Sequence, residues 1–241
     1  MFIEYDREVQ KVLVGAVDIG NSLIKCAIIE NENVILYQAF EFDEIEKLRV
    51  FFKDVNQVCY CSVVRGINLR DILLDKTIYE LNYETSLIKL NYSKTLGSDR
   101  IAKAHYVAFK IGENSIVLDF GTATVIDIVN TEFIGGLILL GYKTYLKCLH
   151  SSVSKLPDLS YRNIEISEKL IGNTTEEAIL LGFVNAYKYL AQKVESNYNV
   201  KWKFITGGNA HIFLNYFKDY KYEPYLSLLG LYLWFINFKS H

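Results

Sequence analysis

The sequence is poor in the residues that mark several classes of protein. It has two prolines, so proline-rich linkers are absent, and four cysteines without a C-x-x-C pair. Four cysteines and four histidines at scattered positions offer too few suitably spaced ligands for a structural zinc site. Cys59 and Cys61 alternate within an apolar run, which places both on one face of a strand. We therefore expect buried free thiols in a cytoplasmic protein.

Long apolar runs and clusters of like charge are also missing. The apolar stretches 133–140 and 226–238 are both shorter than the roughly 20 residues that span a bilayer, so we expect buried elements. Residues 1–10 are acidic and polar, which is not the pattern of a secretory signal. The formal net charge is -2 and basic residues are scattered singly. These features favour a small-molecule partner over nucleic acid or a membrane.

What the sequence does contain is a strand-turn-strand pattern that occurs twice. Residues 12–29 form two apolar runs around Asp18-Ile19-Gly20-Asn21-Ser22. The same order returns over 116–129 around Asp119-Phe120-Gly121-Thr122-Ala123. Apolar, β-branched runs of this length predict buried strands. The repeat therefore indicates an α/β protein with two related domains that face each other.

The remaining segments complete this pattern. Periodicity and turn residues predict helices over 43–52, 68–80, 101–109 and 142–154, and strands over 58–64, 87–90, 133–134 (turning at Gly135-Gly136) and 204–205. Thr174 and Glu177 form a capping box for a helix that extends to about residue 194. Residues 204–205 lead into Thr206-Gly207-Gly208 and a further helix. We place the domain boundary so that the domains are 1–112 and 113–241.

The repeated Asp-x-Gly turn has the chemistry of a phosphate site. Glycine lets the backbone bring its N–H groups close to phosphate oxygens, and the aspartate can hold a cation directly or through water. We expect hydrogen bonds to phosphate from four side chains: Asn21, Ser22, Thr122 and Thr124. One such turn is ordinary hairpin chemistry. Two copies indicate a phosphate clamp, and Gly207-Gly208 could lie against an adenine ring.

The segment Gly97-Ser98-Asp99-Arg100 precedes a predicted helix and suggests an acceptor site. Asp99 is placed to accept a hydroxyl proton and Arg100 to meet an anionic group, which suits phosphoryl transfer. Alternatively, Asp99 only caps the helix, an effect of about 1 kcal/mol. The residues by themselves leave both interpretations open.

Together these motifs resemble those of the type III pantothenate kinases. The resemblance covers about 12–231 and rests on segments that follow in the same order: 18–25, 97–100, 119–127, 135–141, 175–182, 206–210 and 226–231. It implies two tandem ribonuclease H-like (actin-like ATPase) domains with a nucleotide cleft between them. It also implies ATP-dependent phosphorylation of pantothenate to 4′-phosphopantothenate, the first step of coenzyme A biosynthesis. Mg²⁺, a monovalent cation (K⁺ or NH₄⁺) and a homodimer are further implications.

The resemblance also assigns roles to individual residues. Asp99 would accept the hydroxyl proton of pantothenate, and Thr175 would reach pantothenate across the dimer interface. Asp119 would coordinate the monovalent cation, and Asp18 would hold magnesium directly or through water. The remaining pantothenate contacts would be Tyr92, Gly97, Ser98 and Arg100, and the ATP contacts would be Asp18, Ile19, Gly20, Asn21, Ser22, Leu23, Ile24, Lys25 and Thr122.

Two other functions remain as alternatives. One is a nucleotide-binding accessory or regulatory protein on the same fold without kinase activity, and the other is a kinase for a sugar or another small alcohol. The presence of all four charged groups that the reaction needs favours a working kinase: Asp18, Asp99, Arg100 and Asp119. We expect His105 and His211 to have structural or exposed positions, and His150, near the Gly-Gly segment, could line the substrate pocket.

Overall fold

The computed structural model describes residues 13–160 and 169–240. The polar segment 1–10 and Val12, at the start of the first predicted strand, lie outside the described residues. Within the described part of the chain, no helix has both the length and the apolar character needed to cross a membrane.

The first copy of the repeat begins a five-stranded mixed sheet. Its strands are β1 (Leu13–Ile19), β2 (Ile24–Glu30), β3 (Asn33–Phe40), β4 (Gln57–Ser62) and β5 (Thr77–Glu80), in the order β3-β2-β1-β4-β5. The first three strands are antiparallel neighbours, and β4 and β5 run parallel to β1.

The second copy begins a sheet with the same topology. Its strands are β6 (Ser115–Phe120), β7 (Ala123–Val129), β8 (Phe133–Leu140), β9 (Trp202–Thr206) and β10 (Lys221–Tyr222), in the order β10-β9-β6-β7-β8. Again the first three are antiparallel, and the last two are parallel to the first. The predicted duplication of the α/β unit is therefore confirmed at the level of sheet topology.

Two helices pack between the sheets. The α-helices are α1 (Leu48–Phe51), α2 (Leu69–Ile72), α3 (Ser98–Lys110), α4 (Tyr142–Ser152), α5 (Thr175–Tyr198) and α6 (Leu226–Lys239), and 3-10 turns cover Phe42–Lys47, Ala210–Ile212 and Leu214–Tyr216. α3 and α6 share one core with Val14 of β1 and Val117 of β6. They cross closely, since a Cβ on Gly230 would lie 1.9 Å from the carbonyl oxygen of Ala102.

Alternation along the strands decides which polar side chains face the two central helices. Val14 and Ala16 of β1 face the shared core, so Asp18 points the same way. Val117 of β6 and Val129 of β7 also belong to this core. Asp119 and Asp127 are each two residues away on the same strand, so they lie on the same face. Three aspartates from two sheets therefore point toward α3 and α6.

Several predicted elements differ from the structure. The helix expected over 68–80 is only the short α2 followed by β5, because Ile78 pairs with Val58 of β4 and sheet formation outweighs local helical pattern. The strand expected over 87–90 is a single bridge between Leu90 and Phe133. β3 was not predicted, and the helix expected after Gly208 is two 3-10 turns.

The region of β8 also departs from prediction. The strand does not turn at Gly135-Gly136 but continues to Leu140, paired along its length with β7. Because β8 is an edge strand, Ile138 is 62% exposed, so the expectation that 133–140 is buried was wrong.

The prediction for 226–238 was correct, since α6 is largely buried. Cys26, Cys59 and Cys61 are buried free thiols as expected, whereas Cys148 is exposed.

Candidate functional site

The two Asp-x-Gly turns meet directly. The hydroxyl oxygens of Ser22 and Thr122 are 2.8 Å apart, within hydrogen-bond distance. Each turn is closed by a backbone hydrogen bond, from the Gly20 N–H to the Leu23 oxygen and from the Gly121 N–H to the Ala123 oxygen. The turns predicted to form a phosphate clamp therefore lie at one place in the fold.

The first turn has a buried carboxylate at its base. Asp18 Oδ2 accepts a 2.7 Å hydrogen bond from the hydroxyl of Ser227 on α6, and Lys25 Nζ lies 3.7 Å from the same oxygen. Burial would lower the pKa of Lys25, but the carboxylates of Asp18 and Asp119 offset this and raise it. The side chains of Ile19 and Ile24 are in the core, so only their backbone can face a nucleotide. Leu23 is half-buried, and Asn21 is exposed.

The third glycine turn packs against the second. The Asn209 N–H donates to the Phe120 oxygen, and the Asn209 side chain donates to the Gly121 oxygen. A Cβ on Gly207, whose φ is 98°, would lie 2.4 Å from Asp119 Oδ1. Gly208, by contrast, faces open space, since a Cβ there would have no atom within 4 Å. A flat ring could approach the backbone at Gly208.

At the centre of the site, one lysine joins two aspartates. Lys103 Nζ lies 2.9 Å from Asp99 Oδ2 and 2.6 Å from Asp119 Oδ2. Lys103 is 4% exposed, whereas Asp99 keeps 27% exposure. Burial would raise the pKa of Asp99, but the ammonium of Lys103 outweighs it and holds that pKa below its usual value. Asp99 is therefore ionised at neutral pH and has a surface from which it can meet a hydroxyl group.

The residues around Asp99 are held by the end of the first sheet. The Ser98 hydroxyl donates a 2.8 Å hydrogen bond to the Ser62 oxygen at the end of β4. Gly97 precedes the first turn of α3, and a Cβ there would lie 2.7 Å from Asp99 Oδ1. The capping position of this helix is Gly97, and Asp99 lies inside the helix, so the simple capping interpretation of Asp99 does not apply.

Arg100 is engaged by a carboxylate of the protein itself. Its Nε and Nη2 donate to the carboxylate of Asp127, with Nη2 to Oδ1 at 2.5 Å, and both side chains are buried. The guanidinium lies 5.2 Å from the ring centre of Tyr92 and 5.3 Å from that of Phe133. A Cβ on Gly136 would lie 2.6 Å from Nη2 and 2.1 Å from the carboxylate. The structure thus places Tyr92 beside Arg100, but the anionic partner of Arg100 is Asp127.

Three threonines singled out in the sequence occupy different environments. Thr124 is 1% exposed and its hydroxyl has no hydrogen-bond partner among the described residues. It lies on the same face of β7 as Ile126, which packs in the core of α4 and α5, so the expected contact of Thr124 with phosphate was wrong. The hydroxyl of Thr174 accepts from the Glu177 N–H and caps α5, as predicted. Thr175 is exposed at the first position of that helix.

Sequence reasoning missed three residues of this cluster: Lys103, Asp127 and Ser227. Lys103 follows Asp99 by four positions, a spacing that brings opposite charges together on a helix and could have identified it. Asp127 lies in the second motif but was given no partner. Ser227 reaches Asp18 across 209 residues, and no local pattern indicates that contact.

Comparison with known proteins identifies relatives over most of the chain. The sequence model of the family described as type III pantothenate kinase matches residues 16–196. The type III pantothenate kinase of Pelagibacter ubique is 30% identical over 232 residues, which cover 86% of this chain and 91% of that protein. The enzyme of the same name from Mycoplasma mobile is 31% identical over 242 residues, which cover 92% and 98%.

Solved structures with low sequence identity share the fold. A protein of Campylobacter jejuni described as a Baf family transcriptional activator superimposes with a TM-score of 0.72 at 23% identity, covering 94% of this chain and 100% of that one. ROK hexokinase from Thermus thermophilus superimposes with a TM-score of 0.51 at 11% identity, covering 94% and 99%. The two sheets therefore form the two tandem actin-like domains that the family resemblance implied.

Proposed function

The chain belongs to the type III pantothenate kinase family and phosphorylates pantothenate in coenzyme A biosynthesis, and we propose that Asp99 is the proton acceptor of this reaction. As a kinase of this family it uses ATP. The observation that carries the proposal is that Asp99 and Asp119 both contact Lys103 Nζ, within 2.9 Å. The proposed base thus lies beside the turn that would hold the phosphates.

The reaction can be written with these residues. The hydroxyl oxygen of pantothenate attacks the γ-phosphorus, the bond between that phosphorus and the β,γ-bridging oxygen breaks, and ADP leaves. Asp99 accepts the hydroxyl proton as the new O–P bond forms, a contribution of roughly 10²–10⁴ in rate. Positioning and charge neutralisation supply the rest.

ATP would lie along the glycine turns. The backbone N–H groups of 21–23, the hydroxyls of Ser22 and Thr122 and the ammonium of Lys25 would meet the phosphates, while the Gly20 N–H closes the turn on the Leu23 oxygen. The open space at Gly208 supports an adenine position there. Backbone amides at tight turns are well suited to bind phosphate oxygens, because they need no side-chain ordering.

Pantothenate would lie between Tyr92 and Asp99. Nε and Nη2 of Arg100 are bound to Asp127, and the guanidinium also interacts with Tyr92, so we assign Arg100 to the wall of the substrate site, with the ion pair fixing the plane of the guanidinium. Gly97 and Ser98 would shape the backbone beside the reacting hydroxyl. The buried pair with Asp127 makes Arg100 a rigid element rather than a mobile anion receptor.

Two cations were predicted, and the residues fit them differently. Mg²⁺ would arrive with ATP, and Asp18, one of whose oxygens is bound by Ser227, would hold it through water rather than directly. When bound, Mg²⁺ neutralises charge on the phosphates. A monovalent cation at Asp119 stays a prediction of the resemblance, but Lys103 already contacts Asp119 Oδ2.

A homodimer and a cytoplasmic location complete the proposal. The exposed apolar residues of β8, Leu137, Ile138 and Leu140, offer a surface that a second copy could cover. Thr175 is exposed and, since Thr174 is the helix cap, its hydroxyl is not needed for capping. This supports our assignment of Thr175 to the pantothenate site of the partner subunit.

The decisive experiment is a substrate panel with the purified protein. ADP release should require pantothenate, and mass spectrometry should detect 4′-phosphopantothenate as the product. Sugars and other small alcohols at the same concentration should give only background ATP hydrolysis. Nucleotide binding without any phosphorylated product from pantothenate would instead support the regulatory alternative.

A further inference from the structure

The setting of Lys103 combines burial with an excess of negative charge. Its ammonium contacts Asp99 and Asp119, and the carboxylate of Asp18 adds to the same field. The side chain is 4% exposed. Burial would lower its pKa, but the three aspartates raise it well above the usual value, so Lys103 is charged at neutral pH.

Asp119 already holds one cation, which belongs to the protein itself. Oδ2 accepts from Lys103 at 2.6 Å. Oδ1 lies against backbone, since a Cβ on Gly207 would be 2.4 Å from it and one on Gly121 would be 3.5 Å from it. Any cation bound there would also meet the like charge of Lys103 in a poorly solvated place, which is unfavourable. The residues present therefore do not fit a free monovalent cation at Asp119.

The chemistry of the lysine side chain explains this arrangement. A lysine ammonium is an NH₄⁺ ion with one hydrogen replaced by carbon: it carries the same charge and three N–H donors. Because α3 tethers it, no translational freedom is lost when the site forms, unlike binding of a free ion.

We propose that Lys103 of this enzyme takes the place of the monovalent cation, so that turnover needs neither K⁺ nor NH₄⁺. The inference rests on the proposed function, because it concerns the same site. Lys103 acts through Asp99 and Asp119: it neutralises charge beside the phosphate turn and fixes the orientation of the proposed base. It is a positioning residue and is not itself a proton donor or acceptor.

The first test uses the native enzyme and no variant. Turnover is measured with tetramethylammonium as the cation that balances buffer and ATP, and then with KCl or NH₄Cl replacing tetramethylammonium chloride at constant ionic strength. ADP is quantified by chromatography, because coupling enzymes can have cation requirements of their own. We expect equal rates in all three salts. Strong activation by K⁺ or NH₄⁺ would overturn the inference.

The second test uses a variant that should require a monovalent cation. Without K⁺, Lys103→Ala should lose about 10²-fold in kcat, the usual effect of removing one fixed electrostatic group. KCl or NH₄Cl should restore much of the loss and raise the Tm of this variant, while the native Tm stays the same in every salt. Lys110→Ala, on the same helix with an exposed partner in Glu32, is the matched control and should behave like the native enzyme.

The outcomes separate the two proposals. A folded Lys103→Ala enzyme that no monovalent cation rescues, in activity or in Tm, contradicts the role of Lys103. Absence of any phosphorylated pantothenate from the native enzyme in every salt contradicts the proposed function instead. In that case the effect of KCl and NH₄Cl on the Tm of the native enzyme and of Lys103→Ala still decides whether Lys103 replaces a cation.

Discussion

The hydroxyl oxygens of Ser22 and Thr122 lie 2.8 Å apart although 100 residues separate them in the sequence. This hydrogen bond joins the Asp-x-Gly turn of the first sheet to the Asp-x-Gly turn of the second. Both residues are exposed, so the pair is accessible to a ligand. Phosphate oxygens of ATP would compete for both hydroxyls.

Thr122→Val should therefore affect nucleotide binding more than folding. The exposed hydrogen bond contributes about 1 kcal/mol to stability at most, whereas a hydroxyl bound to a charged phosphate is worth about 1.5–3 kcal/mol. We expect the KM for ATP to rise by about tenfold or more, with a similar urea midpoint. Thr131→Val, in the exposed turn between β7 and β8, is the control and should leave the KM unchanged. An unchanged KM in Thr122→Val would exclude a phosphate contact of this hydroxyl.

Asp99→Asn tests the proposed base. The amide keeps the shape of the side chain but cannot accept a proton, so kcat should fall by roughly 10²–10⁴. Lys103 retains Asp119 as a partner, so the fold and ATP binding should persist. Rapid-quench kinetics measures the chemical step, and fluorescence titration measures ATP affinity. Asp71→Asn, at an exposed site in the short helix α2, is the control. Near-native turnover of Asp99→Asn would disprove the assignment.

Gly136→Ala tests the role of the buried pair of Arg100 and Asp127. The added methyl carbon would lie 2.1 Å from the Asp127 carboxylate and 2.6 Å from Arg100 Nη2, so the pair must separate or β8 must move. We expect a loss of about 2–4 kcal/mol in the free energy of unfolding and a higher KM for pantothenate.

Urea denaturation measures this loss, and Gly208→Ala provides the comparison. A Cβ at Gly208 would meet nothing within 4 Å, so that variant should have native stability. Equal stability of Gly136→Ala and the native protein would show that the ion pair is not confined by β8.

Mixing of inactive variants tests whether Thr175 acts across a dimer. Asp99→Asn and Thr175→Ala should each have low activity as homodimers. When they are co-expressed, a mixed dimer has one site with both defects and one site with none, so about a quarter of native activity should return. Co-expression of Asp99→Asn with Asp119→Asn, two residues of one subunit's site, should restore nothing. Failure of the first pair to recover, with mixed dimers shown by mass spectrometry, would place Thr175 elsewhere.

His105 predicts a pH dependence of stability. Its ring is fully buried: Nε2 accepts from the Leu87 N–H, and Nδ1 lies 2.8 Å from the Ile101 oxygen. Burial lowers its pKa from 6.5 to about 4. Between these values the unfolded chain binds a proton that the folded chain does not, so stability falls as the pH falls through this window. The loss should reach about 3 kcal/mol.

Urea unfolding at several pH values measures this effect. His105→Gln should be less stable at neutral pH, but its stability should fall less between pH 6.5 and 4 than that of the native protein. His211→Gln, at an exposed position, should follow the native curve. Parallel curves for His105→Gln and the native protein would show that His105 does not titrate in this range.

Local sequence determined the elements whose cause is local. The two Asp-x-Gly turns follow apolar, β-branched runs, and these runs form β1 and β6 as expected. Thr174 caps α5 because its hydroxyl reaches an N–H three residues later. Duplication of the pattern was enough to predict two related domains, since each copy carries the same strand-turn-strand information.

Only the tertiary structure decided the partners of the charged groups. The sequence predicted that Arg100 would meet an anionic group of the substrate. In the structure β7 brings Asp127 to Arg100 across 27 residues. The family resemblance implied a free cation at Asp119, whereas the packing of α3 against the second sheet brings Lys103 there. Alternation along β7 points Thr124 toward the core of α4 and α5, and pairing with β4 made residues 77–80 a strand. Such contacts depend on which elements meet, and this is set by the burial of apolar faces over the whole chain rather than by any local motif.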